Sequence, residues 1–109
     1  MAWLLRDGEV LAAADVVTSF TGRLRLALGP DHLDGVLLLR PAKTAHTLGT
    51  RTPIDVAFCN RDLVVVSTRS MRPRRLGWPC WRAHLVIEAQ AGAFERWRLR
   101  PGDRLELRS

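Results

Sequence analysis

The run Ile54-Asp55-Val56-Ala57-Phe58-Cys59 constrains the fold more than any other stretch of this chain. It is apolar at every position but Asp55, and it is too short for a buried helix. A segment apolar on consecutive positions must be covered on both faces, so it reads as an interior strand of a sheet. Residues 63–67 follow after Asn60-Arg61-Asp62, at hairpin spacing, and read as its partner strand, covered on both faces in the same way.

The rest of the chain repeats this pattern of short apolar runs and tight connections. Residues 3–5 and 10–17 flank Asp7-Gly8, a hairpin dipeptide. Further strands are expected at 36–39, 83–89 and 104–107, the last after the turn Pro101-Gly102-Asp103. Phe20, Leu24 and Leu28 stand four apart, which predicts a short amphipathic helix over 19–28, capped by Thr18 or Ser19 and stopped by Gly29-Pro30. A second helix is expected over 91–99, with Phe94, Trp97 and Leu99 inward. Trp3 and Trp97 read as core or edge-covering residues, and Glu88 is placed to pair with an arginine across the sheet. The expected fold is mainly β (α+β): a small curled, antiparallel-rich sheet or barrel with two short helices packed on it. A doubly wound parallel sheet would need longer crossover helices. At 109 residues the chain is expected to form one domain over 1–109.

Composition narrows the class. No apolar run approaches the ~18 residues that would span a bilayer, and the first residues show no basic segment followed by an apolar one. A cytoplasmic protein without a membrane partner is the expectation. Cys59 and Cys80 match no metal spacing and are too few for a disulfide framework; Cys59 reads as a buried small hydrophobe and Cys80 as a loop thiol. The net charge is +6, carried by sixteen arginines and one lysine, Lys43. GC-rich coding alone gives such a ratio, so the arginine clusters have to be weighed one by one. Arginine matters because its planar fork pairs bidentately with phosphate and carboxylate.

An ordered set of motifs resembles a known family. It comprises Arg23-Leu24-Arg25-Leu26-Ala27-Leu28-Gly29, Leu33-Asp34-Gly35-Val36-Leu37-Leu38-Leu39-Arg40-Pro41, His46-Thr47-Leu48-Gly49 with Arg51, and Pro53-Ile54-Asp55-Val56-Ala57-Phe58. It continues through Arg72-Pro73, Leu85-Val86-Ile87-Glu88 with Ala91-Gly92, and Pro101-Gly102-Asp103. Over about residues 15 to 107 the chain resembles the bacterial and archaeal proteins grouped as domain of unknown function 192. The resemblance implies a fold and no settled activity. The chain departs from the family pattern at Thr50, where Met is common, at Thr52, where an aromatic is common, and at Leu63, where Gly is usual; Leu26 and Ala27 replace helix glycines.

Two segments hold the candidate site residues. In the first, His46, Thr47 and Asp55 invite a hydrolase-like reading, with imidazole as base, hydroxyl as nucleophile and carboxylate as orienter. The structural alternative has Thr47 and Thr50 bonding the loop backbone while Asp55 accepts amide hydrogens beside Pro53. The second segment runs from 63 to 87 and contains Arg69, Arg72, Arg74, Arg75 and Arg82 with Trp78 and Trp81, and no acidic residue. Arginine beside exposed tryptophan suits phosphate pairing and base stacking; otherwise it is a solvated loop whose rings fold back over the barrel end. The leading expectation is a non-enzymatic binding module. Its loop-lined end would present His46, Thr47, Arg51, Asp55, Arg72, Arg74, Arg75 and Trp78 to a protein or small-molecule ligand. Nucleic-acid binding through 69–82 is the less favoured alternative. No cofactor and no metal ion is expected, and no P-loop, dinucleotide fingerprint or nucleophile elbow is present.

Overall fold

A computed structural model describes residues 2–18, 35–45, 47 and 52–109. Among them the strands are β1 (Ala2–Arg6), β2 (Glu9–Val17), β3 (Val36–Leu39), β4 (Ile54–Cys59), β5 (Val65–Met71), β6 (Leu85–Gln90) and β7 (Glu106–Arg108). One helix, α1 (Ala93–Trp97), lies between β6 and β7. The strands form one sheet in the order β5-β4-β6-β3-β2-β1-β7, antiparallel throughout except for the β2–β3 pair. The fold is therefore mainly β.

Two parts of the expected architecture change. The sheet is not closed into a barrel: among the described residues its outer strands β5 and β7 share no ladder, and the contact between them is limited to Val65, at the start of β5, bonded to the 102–103 turn, and to the segments beside the strands. There an isolated bridge pairs Val64 with Arg104, and Leu105 N donates to Leu63 O at 2.9 Å. β7 is only three residues long, too short to run along β5 and complete a ladder. The predicted helix over 19–28 lies outside the described residues, and the predicted 91–99 helix is limited to the five residues of α1.

β4 is buried at every position, as its composition demands. Its alternate residues enter two cores. Ala57 and Cys59 join Leu4, Val36, Leu38, Leu85 and Ile87 on one face, with Phe94, Leu99 and Leu105 closing over them. Ile54, Val56 and Phe58 join Met71, Val86, Ala45 and Ala83 on the other. β5 is not covered on both faces. It sits at the sheet edge, and Val66 to Arg69 are only half buried. Trp3 is likewise no core residue, being 43% exposed on β1. Both cysteines are free; burial pushes the Cys59 thiol up to about 12, which leaves it inert at neutral pH.

Turn chemistry explains the hairpins. Asp7 and Gly8 both take positive φ (53° and 82°), the combination a two-residue hairpin of the right twist requires. After β4, the Asn60 side-chain oxygen accepts from the amides of Asp62 (2.9 Å) and Val64 (3.1 Å). Leu63 is then forced to φ 62°, a conformation that costs a leucine about 1 kcal/mol or more. This is the position at which the resemblance implies glycine. Leu63→Gly should consequently leave stability within about 1 kcal/mol of the parent, because relief of strain offsets the lost packing of a partly buried side chain. Chemical denaturation checks this; a loss of more than about 2 kcal/mol would mean the left-handed conformation carries little strain.

Among the described residues Glu88 pairs with no arginine. Its cross-strand neighbours are Leu37 on β3 and Val56 on β4, and among the described residues no ion pair reaches it. Burial among these apolar neighbours raises its pKa from 4.5 to about 7. The folded state thus favours the protonated acid. Its contribution is present in full below about pH 4.5 and is lost as the pH rises through about 7. With its partial exposure allowed for, the loss between pH 5 and 8 should be about 2 kcal/mol. Glu88→Gln should remove that slope, as measured by denaturation midpoints across the range. An unchanged slope would assign the pH dependence elsewhere.

Candidate binding surface

The chain from 72 to 82 leaves β5 and crosses the second core on a scaffold of backbone hydrogen bonds. Its support comes from Ala42, Lys43, Ala45 and Thr47, which pair with it in antiparallel order. Thr47 N donates to Arg75 O (2.8 Å), Arg74 N to Thr47 O (2.7 Å), Gly77 N to Ala45 O (3.0 Å), and Cys80 N to Lys43 O (2.7 Å). Ala42 N to His84 O (2.8 Å) closes the far end. Two cations add to this. Arg69, stacked 4.6 Å above the buried Phe58 ring, donates to Trp78 O at 2.7 Å. The Lys43 ammonium donates to Trp81 O at 2.9 Å and to Ala83 O at 2.7 Å. Each tryptophan carbonyl is therefore held by a basic side chain from another segment.

Gly77 makes the close approach possible. A Cβ there would lie 2.6 Å from the Ala45 carbonyl oxygen and 3.2 Å from the Met71 methyl. Because that direction points inward, the flanking Leu76 and Trp78 project outward. They are 75% and 82% exposed, and Trp81 is 75% exposed. Arg72, Arg74, Arg75 and Arg82 are exposed around them. None of these four forms an ion pair among the described residues.

The sequence-predicted residues separate into distinct roles. Arg72, Arg74, Arg75 and Trp78 lie together on this surface. Thr47 lies beneath it, fully buried: its hydroxyl donates to Arg72 O (2.5 Å) and accepts from Arg75 N (2.8 Å). A hydroxyl so engaged and enclosed is not presented to a substrate. Asp55 projects to the opposite face of β4, where its Oδ2 accepts from the amides of Gly92 (3.0 Å) and Phe94 (3.1 Å). It takes the place of a side-chain cap that Gly92, the residue before α1, cannot supply. His46 and Arg51 lie outside the described residues. Leu76, Lys43 and the Arg69–Trp78 contact were not among the sequence candidates. Leu76 was legible as an apolar residue among arginines, whereas the two carbonyl clamps join positions too distant in sequence to be foreseen.

Two other concavities exist among the described residues. An open groove of about 540 Å³ lies between β5 and α1, lined by Asp55, Thr68, Ser70, Phe94, Arg98 and Arg100 among others. A smaller one of about 320 Å³ holds Lys43, Asn60, Asp62, Arg82 and His84. No group of three or more metal-ligating side chains occurs among the described residues.

With this geometry in view, comparison with known proteins places the chain. The family model described as uncharacterised ACR, domain of unknown function 192, matches residues 25–107. The chain belongs to the domain of unknown function 192 family. No curated protein matches this family member. Two solved structures share the fold of this domain of unknown function 192 chain. One is a proposed transcription regulator from Sinorhizobium meliloti 1021, at 19% identity and a TM-score of 0.79, covering 96% of this chain and 90% of that one. The other is a protein of unknown function from Novosphingobium aromaticivorans DSM 12444, at 16% identity and a TM-score of 0.77, covering 96% of this chain and 82% of that one. At these identities the likeness establishes the fold of the domain of unknown function 192 chain and nothing of its activity.

Proposed function

We propose that this protein is a non-enzymatic binding module whose contact surface is the arginine–tryptophan loop 72–82. One observation carries the reading: the three most exposed large apolar side chains among the described residues, Leu76, Trp78 and Trp81, stand on one stretch of chain whose backbone is pinned. Leaving a leucine and two indoles in water forfeits about 25 cal/mol for every Å² of apolar surface, and a mobile loop would fold them inward. Here the clamps at Trp78 O and Trp81 O, and the fit at Gly77, hold them outward. A rigid aromatic anchor amid arginines is the composition of an interaction hot spot. Thr47 is the support of this end rather than part of its face, and Asp55 belongs to the α1 side, so the contact surface is narrower than the His46–Asp55 segment suggests.

Replacing Trp78 by a photo-reactive benzoyl-phenylalanine in living cells tests the proposal. Adducts should form at position 78, disappear when Arg74→Glu and Arg75→Glu are added, and be absent from a control probe at Val10, itself 58% exposed on β2. Equal labelling at 78 and 10 would show that this surface is not a contact site.

A further inference from the structure

The binding reading leaves the chemistry of the partner open, and the composition of the surface narrows it. Resting on that reading, we propose that loop 72–82 is a surface anchor for an anionic lipid bilayer. Leu76, Trp78 and Trp81 enter the headgroup region, and Arg72, Arg74, Arg75 and Arg82 pair with lipid phosphates. Among the described residues no helix is long and apolar enough to cross a membrane, and a protein lying on a membrane needs none.

Three features favour a bilayer over a nucleic acid. The first is Leu76. An aliphatic side chain has no flat face for a base to stack on, yet Leu76 is as exposed as Trp81 and is aimed outward by the Gly77 approach. A bilayer interface receives leucine and indole together, and tryptophan is the residue that concentrates there, its ring apolar and its N–H polar. The second is charge. Residues 63–87 hold five arginines and no acidic residue, so this stretch offers an anionic leaflet a strong excess of positive charge, with Asp62 beside Arg82 as the nearby carboxylate. Arg69 is committed to Trp78 O, while the other four are exposed and form no ion pair among the described residues. The third is order. The hydrogen bonds to Thr47, Ala45 and Lys43 already fix the backbone, so insertion requires little further ordering of the chain.

The two partner classes also differ in salt response. Attraction to phosphates alone fades as counterions screen it. Apolar insertion does not, so a bilayer anchor retains part of its binding at high salt.

The test uses the whole chain with vesicles of phosphatidylcholine, with and without about one-third phosphatidylglycerol, read by co-sedimentation and tryptophan emission. The wild type should bind the anionic vesicles at least about tenfold more tightly than the neutral ones, with a blue-shifted emission. The triple variant Leu76→Ser, Trp78→Ser, Trp81→Ser should lose about tenfold or more and its residual binding should vanish in about 0.5 M salt. Arg74→Glu with Arg75→Glu should lose at least tenfold while keeping its fold, checked by circular dichroism, since both side chains are exposed. Wild type that ignores anionic vesicles, or a triple variant that binds like wild type, overturns the proposal. Failure on vesicles alongside salt-sensitive binding to a single-stranded oligothymidylate would assign the surface to nucleic acid instead. Photo-adducts at position 78 with protein alone, and no vesicle binding, would overturn the lipid assignment while leaving the binding module standing.

Discussion

Asp55→Ala is expected to cost about 3 kcal/mol of folding stability, the largest effect of any site candidate. The carboxylate is buried, and it is the acceptor for two amides at the start of α1, Gly92 N and Phe94 N. Removing it strips two hydrogen bonds and leaves both donors without a partner, each worth about 1 to 3 kcal/mol when enclosed. The helix has five residues and no side-chain cap of its own, so it cannot compensate locally. Phe94 and Leu99, which close one core, depend on that helix and its end. Asp55→Asn retains an oxygen acceptor and should lose only about 1 kcal/mol. Urea denaturation of both variants decides the matter. A structural carboxylate produces this graded loss of stability. A catalytic one would leave stability nearly untouched in both, and that result would revive the hydrolase reading.

Gly77→Ala should be the second most damaging change, at about 2 kcal/mol, with its effect concentrated on the candidate surface. The added Cβ would stand 2.6 Å from the Ala45 carbonyl oxygen, which belongs to the backbone and cannot swing aside as a flexible side chain would. Either the 42–47 segment or the 72–82 loop must move. Hydrogen exchange separates this from a global effect: the amides of Thr47, residue 77 and Cys80 should lose protection about tenfold or more relative to those of β4. Unchanged protection at those amides would mean that the loop is not held by the close approach. The same variant should weaken whatever the surface binds, because the indoles would no longer be held outward.

These two residues also show what the sequence could and could not reveal. β4 was legible because six enclosed residues leave composition no alternative, and the Asp7-Gly8 turn because its backbone demands positive φ. The barrel was overestimated. Whether a curled sheet closes depends on the length and register of its last strand, and β7 is too short to pair along β5. Leu63 stands where the resemblance implies glycine, and its φ of 62° is a conformation that favours glycine. Asp55 was visible as an isolated carboxylate in an apolar strand, yet its partners lie 37 and 39 residues away and no local pattern encodes them. The same holds for Thr47, whose hydroxyl is tied to the backbone of Arg72 and Arg75. The arginine–tryptophan segment was recognised from composition alone. Its exposure was not, since only the structure replaces the alternative of rings folded back over the sheet end with indoles standing in solvent on a backbone held at Trp78 O and Trp81 O.

Hydroxyl-radical footprinting of the protein in living cells and after purification tests the central claim most directly. If loop 72–82 is the contact surface, Trp78 and Trp81 should be labelled at least severalfold less in cells than in the purified protein, while Val10, exposed on β2 away from the loop, is labelled alike in both. Equal labelling of the two tryptophans inside and outside the cell would contradict the account.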